Sequence, residues 1–311
     1  MPMSPVHMLY NSPGEKTMEN TINKENKDRL FKIIFGRNEN REWTLSLYNA
    51  INGSSYTNPE DITITTVEDV LYLSMKNDVS FLIADTMNLY EQQSTYNPNM
   101  PIRMLMYSGM VYSRYIEEKG IDMYRNKLRV FPSPRLVTFY NGLKETEDRV
   151  VLKISDAFNN DPESDIEVRV LMLNINHGRN KELLEHCRPL NDYSQFVDTV
   201  RVLKREGLSS EDAVHLAIRK LDGSSAIRRF LLAHEAEVKM SVLTEFKETE
   251  YYERLQKECH EEGRAEGRAE GEERMSTLVN QLLNQGRYED IAKVTSDVEY
   301  RNRLYKELGI T

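Results

Sequence analysis

A chain of 311 residues is long enough for one sizeable domain and a smaller appendage. No stretch approaches the ~18 consecutive apolar residues of a membrane-spanning helix, and no secretory signal is visible at the start. We therefore expect a cytoplasmic protein without membrane contact. The two cysteines, Cys187 and Cys259, belong to no CxxC pair, which argues against a disulfide framework and a typical zinc site.

The net charge of −9 argues at first against a DNA-binding protein, because contacts with phosphate need lysine and arginine. The negative charge is concentrated, however, in residues 235–274, which contain 13 Glu against 7 Lys and Arg. The remainder has a net charge of only −3, so it could still present a basic face to DNA. Candidate side chains for that face are Lys32, Arg37, Arg103, Arg114, Arg125, Lys127, Arg129 and Arg135.

The N-terminal region is predicted to contain an arm and two helices. Residues 1–20 mix Pro, Ser, Gly and Met without periodicity, which indicates a disordered arm. A first helix is expected to begin near Glu25 and to end at Gly36, because apolar residues recur at helical spacing before that glycine. A second helix is expected at about Asn40–Ile51.

The next strong pattern predicts a β-hairpin. Ser80–Asp85 is mainly apolar, Thr86–Asn88 carries turn residues, and Leu89–Ser94 is a second extended run. Side chains alternate across a strand, so Glu91 and Gln93 are expected on one face of the second strand.

Pairing within this hairpin brings acidic side chains together. Asp78 lies at the end of the first strand that is far from the turn, beside the end of the second strand with Glu91 and Gln93. Two carboxylates and one amide are thus expected at one edge of the sheet, a set of oxygen ligands that suits Mg²⁺. The alternative is that Asp78 caps the hairpin and Glu91 is a solvated strand residue.

Further elements extend the sheet. Ile62–Val67 predicts a strand, and Val70–Met75 is a short apolar run of ambiguous type. A helix is expected from Pro101 to Glu118, with proline in its first turn. Arg135–Tyr140 and Glu167–Ile175 predict two more strands, so we expect an α/β core with a mixed sheet flanked by helices.

The pattern becomes helical from Lys181 onward. Residues 181–234 predict a helical subdomain, and residues 235–276 predict a charged helical linker that contains EGRA repeats with a period of four. Residues 277–311 predict a small helical tail. The repeated glycines of the linker would allow close approach of two helices and hence homo-oligomerisation. The tail could serve partner binding, dimerisation or DNA contact, and the sequence does not choose among these.

The residues of the hairpin also resemble a known signature. Asp78 followed by Glu91-Gln92-Gln93 looks like the active-site motif of the PD-(D/E)XK nucleases, with Gln93 where many members have lysine. From about Asn26 to Lys181 the chain is similar to the Rpn family, whose members are described as recombination-promoting nucleases or as transposases. The segments that carry this resemblance are Asp28–Gly36, Asn97–Arg103 with Tyr107, and Pro134–Gly142.

The resemblance implies a restriction-endonuclease-like mixed sheet in residues 21–180, flanked by helices and followed by an all-helical C-terminal region. It also implies a metal-dependent DNA endonuclease linked to recombination or mobile elements. Asp78, Glu91 and Gln93 would be the catalytic residues. A divalent metal, Mg²⁺ or else Mn²⁺ or Ca²⁺, would be held by Asp78, Glu91 and the backbone carbonyl of Gln92.

Two other functions stay open at this point. The first is a non-catalytic module that retains the nuclease fold and binds nucleic acid or protein. The second is a transposase with strand-transfer chemistry. Gln93 bears on the choice, because an amide has no titratable proton and can orient water or phosphate without acting as a general base.

Four further residues are candidates for contacts with the metal or with phosphate. Asp28 could add a carboxylate, or it could simply interact with the dipole at a helix start. Lys32 could meet a phosphate. Arg103 and Tyr107 lie at i and i+4, hence on one helix face, which the resemblance sets beside the active site. The alternatives are a surface ion pair for Arg103 and a core position for Tyr107.

Overall fold

The computed structural model describes residues 29–65, 78–158, 161 and 163–310. The predicted arm at residues 1–20, the Val70–Met75 run and Asp28 lie outside these ranges. Within them, six strands form one mixed sheet with helices on both faces, and helices alone follow it. The predicted α/β class with a helical C-terminal region is therefore confirmed. None of the helices in these ranges has the length and apolar character needed to cross a bilayer.

The order of strands across the sheet is β1-β2-β3-β4-β6-β5. These strands are β1 (Thr63–Ile64), β2 (Val79–Ile83), β3 (Thr86–Gln93), β4 (Ser133–Tyr140), β5 (Arg149–Lys153) and β6 (Arg169–Asn174). β3, β4 and β6 run parallel, whereas β2 is antiparallel to β3 and β5 is antiparallel to β6. The ends of the three parallel strands and the start of β2 therefore share one side of the sheet, here named the carboxyl edge (Asp78, Gln93, Tyr140 and Asn174).

The helices of the described residues surround this sheet and continue beyond it. They are α1 (Leu30–Phe35), α2 (Arg41–Asn52), α3 (Met100–Glu118), α4 (Lys181–His186), α5 (Arg188–Arg205), α6 (Ser210–Lys220), α7 (Arg228–Ala233), α8 (Glu235–Asn284), α9 (Tyr288–Ser296) and α10 (Val298–Glu307). Three predicted helices, at the positions of α1, α2 and α3, are present.

The predicted start of the first helix, near Glu25, lies outside the described residues. Arg29 has an extended backbone, with φ −65° and ψ 148°, so α1 begins only at Leu30. A side chain from α8 supplies the missing cap, because the backbone N–H of Leu30 donates to Glu245 Oε1 at 2.9 Å. Glu245 lies 215 residues from Leu30 in sequence, so no local sequence pattern indicates this contact.

The predicted position of the hairpin turn is wrong. The turn consists of Ala84 and Asp85, and Ala84 adopts the left-handed conformation with φ 47°. Thr86–Asn88 instead belongs to β3, because these residues pair with β2 on one side and with β4 on the other. Pairing on both sides outweighs the turn preference of residues such as asparagine.

The two faces of the sheet bury separate cores. Met87 and Leu89 of β3 pack under α3, on what is here named the α3 face. Tyr90 points the other way, toward the core formed with α1, α2, α5 and α6, on what is here named the opposite face. This alternation assigns Glu91 and Gln93 to the α3 face and Gln92 to the opposite face.

α8 is a single helix of 50 residues, so it spans about 75 Å. Val238 and Val242 near its start are buried against the core, whereas residues 257–273, which include the EGRA repeats, are exposed. The helix continues past the predicted boundary at residue 276. Its last turns pack with α9 and α10 around Leu278 and Leu304 to form a small helical cluster.

Gly142 provides a test of the packing at the carboxyl edge of the sheet. A Cβ at Gly142 would lie 2.1 Å from the carbonyl oxygen of Ser94, so we expect Gly142→Ala to lower the free energy of unfolding by roughly 1–3 kcal/mol. A Cβ at Gly109, in the exposed part of α3, would have no neighbour within 4 Å among the described residues beyond its own helix backbone, so Gly109→Ala should raise the free energy of unfolding by up to about 1 kcal/mol. Urea unfolding followed by circular dichroism measures both, and equal effects would contradict this packing.

Candidate active site at the carboxyl edge

Asp78 and Glu91 meet at the carboxyl edge. Val79 pairs with Tyr90 in the antiparallel register of β2 and β3, so the next position sets Asp78 directly across from Glu91. Residues directly opposite each other point to the same face of a sheet, which here is the α3 face. Both side chains are buried, with exposed fractions of 7% for Asp78 and 2% for Glu91.

Asp78 is held by the neighbouring strand. Its Oδ2 accepts a hydrogen bond from the backbone N–H of Gln92 at 2.6 Å. Burial raises the pKa of the Asp78 carboxyl above its usual value, while the positive charge of Arg29 and this backbone hydrogen bond oppose the rise. The charge of Lys32, a predicted phosphate contact, acts in the same direction as Arg29.

Glu91 has one oxygen paired and one oxygen without a partner. Its Oε1 accepts from Nη2 of Arg103 at 2.7 Å, whereas its buried Oε2 has no hydrogen-bond partner among the described residues. Burial raises the pKa of Glu91 to about 8, and the negative charge of Asp78 adds to the rise against the opposing charge of Arg103. Folding therefore favours the protonated form of Glu91 more than water does, and the Arg103 ion pair favours the ionised form.

Arg103 and Tyr107 lie beside this acid pair on α3. Nη2 of Arg103 donates to Glu91 and also to the hydroxyl oxygen of Tyr107, at 2.8 Å. The Tyr107 side chain is buried in the core under α3, which is the alternative expected for this residue. Its hydroxyl group also reaches the site. Arg103 thus orients the Glu91 carboxyl group.

Gln93 and Gln92 contribute to the edge in different ways. The Gln93 side chain is buried against Met100, and its Oε1 has no hydrogen-bond partner among the described residues. The backbone carbonyl of Gln92, expected as a metal ligand, accepts from Nη1 of Arg29 at 2.7 Å. The sequence motif did not suggest Arg29, because the residue lies in the extended stretch before α1.

A polar network on the opposite face fixes Gln92. Its Nε2 donates to Oδ1 of Asn141 at 2.8 Å, and Nδ2 of Asn141 donates to the hydroxyl oxygen of Tyr193 at 3.3 Å. Arg201 of α5 donates to the backbone carbonyl of Asn141 and, at 3.0 Å, to Oδ1 of Asn176. Sequence reasoning missed the roles of Asn141, Tyr193 and Arg201. The available signal was a polar Asn-Gly pair directly after a buried strand.

The site offers oxygen atoms that suit a hard cation. Oε2 of Glu91 and Oε1 of Gln93 lie on the same face and are buried acceptors with no donor in the part of the chain that the structure describes. Buried polar atoms are rarely left unpaired. Magnesium commonly binds through one or two carboxylates and completes its shell with water and substrate oxygens. The two carboxylates fit this pattern, although no group of three or more His, Cys, Asp or Glu suited to a metal occurs in the part of the chain that the structure describes.

The fold and site define an α/β protein with a buried acid pair at the carboxyl ends of its parallel strands. Comparison of the chain with protein-family models, with curated proteins and with solved structures found no match. The geometry above is therefore the basis for any functional assignment.

Glu91 should make the stability of the metal-free protein depend on pH. Because folding raises its pKa from 4.5 to about 8, the folded state binds the proton more tightly than the unfolded state. The contribution of Glu91 to the free energy of unfolding is complete below about pH 4.5. As the pH rises through about 8 this contribution is lost, and the free energy of unfolding falls by on the order of a few kcal/mol. Glu91→Gln should flatten this fall in urea unfolding measured at several pH values.

The exposed Glu118 supplies the control for this measurement. Glu118→Gln should keep the pH profile of the wild type. Parallel profiles for the wild type and Glu91→Gln would show that the Glu91 carboxyl is not shifted in this way.

Proposed function

We propose that this chain is a metal-dependent DNA endonuclease of the PD-(D/E)XK kind, similar to the Rpn nucleases. The observation that carries the proposal is the convergence of two buried carboxyl groups, Asp78 and Glu91, on one face at the end of a hairpin. Burying two acids side by side is costly unless a cation compensates them. Such a pair is therefore more readily explained by cation binding than by stability.

The proposed fold is restriction-endonuclease-like. Support comes from the order of elements around the acids: an antiparallel hairpin, a helix that crosses one face, and then a strand parallel to the second hairpin strand. Open α/β sheets commonly bind ligands outside the carboxyl ends of their strands. The acid pair occupies that side of this sheet.

In this proposal, Asp78, Glu91 and the carbonyl oxygen of Gln92 hold the divalent ion, with Mg²⁺ as the first candidate. When bound, the ion supplies polarisation of the scissile phosphate and a lowered pKa of a bound water. The ion would compete with a proton for Glu91, because a carboxyl ligand binds metal in its ionised form. Arg103 keeps the Glu91 carboxylate oriented, and the Gln93 amide can orient water or phosphate through Oε1 but cannot remove a proton.

A second candidate function is a non-catalytic DNA- or protein-binding module with the same fold. It is favoured by the pairing of both arginines, since Arg103 already neutralises Glu91 and Arg29 already occupies the carbonyl oxygen of Gln92. Glutamine at position 93 favours it as well, because general-base help typically contributes about 10²–10⁴-fold to a rate.

Cleavage of supercoiled plasmid separates the two functions. The wild type should nick or linearise DNA with Mg²⁺ or Mn²⁺, and Asp78→Asn and Glu91→Gln should each abolish this activity because they remove ligand charge. Asp85→Asn is the matched control, since Asp85 is exposed at the turn of the same hairpin. Circular dichroism should confirm that all three variants fold.

If the wild type and both acid variants leave DNA equally intact with Mg²⁺, Mn²⁺ and Ca²⁺, the nuclease proposal fails. DNA binding measured by fluorescence anisotropy then tests the alternative of a binding module.

Gln93→Lys tests the missing general base. A lysine at this position should raise the cleavage rate on the order of 10²-fold, because it can take up or position a proton that an amide cannot. Gln93→Met is the control of similar length without the amide, and it should lower the rate below that of the wild type. A Lys variant that folds but cleaves no faster than the Met variant would contradict the role given to position 93.

A further inference from the structure

A third polar residue stands in line with the acid pair. In the parallel register of β3 and β4, Glu91 pairs with Thr138, so Asp78, Glu91 and Thr138 occupy adjacent positions across three strands. Thr138 is fully buried, and its Oγ1 has no hydrogen-bond partner among the described residues. Its place in the apolar run of β4 makes it look like a core residue in the sequence.

The hydroxyl of Thr138 needs an acceptor. A hydroxyl left unpaired in the core costs the folded state, so buried hydroxyls are almost always bonded. The cross-strand neighbours of Thr138 on the α3 face are Glu91 and Met172. Of these two, Glu91 alone carries oxygen, and neighbouring strands lie only about 4.8 Å apart.

The needs of the two side chains are complementary. Among the described residues, Oε2 of Glu91 has no donor and Oγ1 of Thr138 has no hydrogen-bond partner. The two atoms do not meet hydrogen-bond geometry in this structure, so one of the side chains must rotate for the contact to form.

We propose that Thr138 is a positioning residue for Glu91, with its hydroxyl donating to Oε2 while Arg103 donates to Oε1. Two donors from different elements, β4 and α3, fix the plane of the carboxylate. The remaining lone pairs are then directed toward Asp78, where the cation of the proposed function would lie. The hydrogen bond itself does not depend on that function, but its consequence for cation binding does.

The first test needs no metal and measures the coupling between the two side chains. Thr138→Val, Glu91→Leu and the double variant form a cycle, with the midpoint of urea unfolding as the readout. Thr138→Val should lower the midpoint in the wild-type background, because Oε2 loses its donor. In the Glu91→Leu background it should leave the midpoint unchanged or raise it. An equal shift in both backgrounds would overturn the proposal.

The second test measures Mn²⁺ affinity through the electron paramagnetic resonance signal of free Mn²⁺. Residues that orient metal ligands typically change affinity by about 10–100-fold, so Thr138→Ala should weaken Mn²⁺ binding about 10-fold or more. Thr138→Ser retains the hydroxyl and should bind within about twofold of the wild type. Ala and Ser differ by one hydroxyl group, so this pair also replaces the valine variant in the cycle if that variant does not fold.

The two tests separate the hydrogen bond from the nuclease proposal. Coupling in the cycle together with no Mn²⁺ binding by the wild type upholds the role of Thr138 and rejects the metal-dependent function. Mn²⁺ binding that is equal in the Ala and Ser variants, with no coupling in the cycle, rejects Thr138 and leaves the metal site standing.

Discussion

The desolvation of two adjacent carboxyl groups is the constraint around which this site is built. Asp78 and Glu91 are both removed from water, and burial raises the pKa of each. An isolated buried carboxylate is so costly that it protonates or acquires partners. Here the partners come from three directions: the N–H of Gln92 from the same sheet, Arg103 from α3, and the charge of Arg29 from the stretch before α1. Each of these groups offsets part of the cost of burying the acids.

Strand register makes this arrangement possible. A slip of one residue between β2 and β3 would move Glu91 to the opposite face, away from Arg103 and into an apolar core. β3 is protected against such a slip because it is paired on both sides and buries Leu89 and Tyr90 in different cores. At the carboxyl edge, Gln92 adds a polar lock through Asn141, whose backbone is in turn held by Arg201. The acid pair is thus placed by rigid elements and not by a loop.

The sequence predicted the parts of this site that depend on local pattern. Alternation along a strand and pairing within one hairpin were sufficient to bring Asp78 and Glu91 to the same edge, even with the turn misplaced by two residues. The groups that it missed come from other elements. Thr138 lies in β4 and Asn141 directly follows it, and β4 pairs with β3 only after a parallel crossover connection. Arg201 lies in α5. Contacts of this kind depend on topology, which no short-range periodicity encodes. Glu245 capping α1 from 215 residues away is the extreme case.

The charges of the site suggest how a proton, an arginine and a cation would share Glu91. With both acids ionised, Asp78 and Glu91 balance Arg29 and Arg103, so the cluster is neutral by formal charge. A proton on Glu91 would leave the cluster positive, and under the proposed function a divalent ion would take the place of such a proton. Loading would then increase the positive charge at the edge, which favours an anionic substrate such as DNA phosphate. Because Arg103 binds only Oε1 of Glu91, the ion could enter at Oε2 without breaking the ion pair.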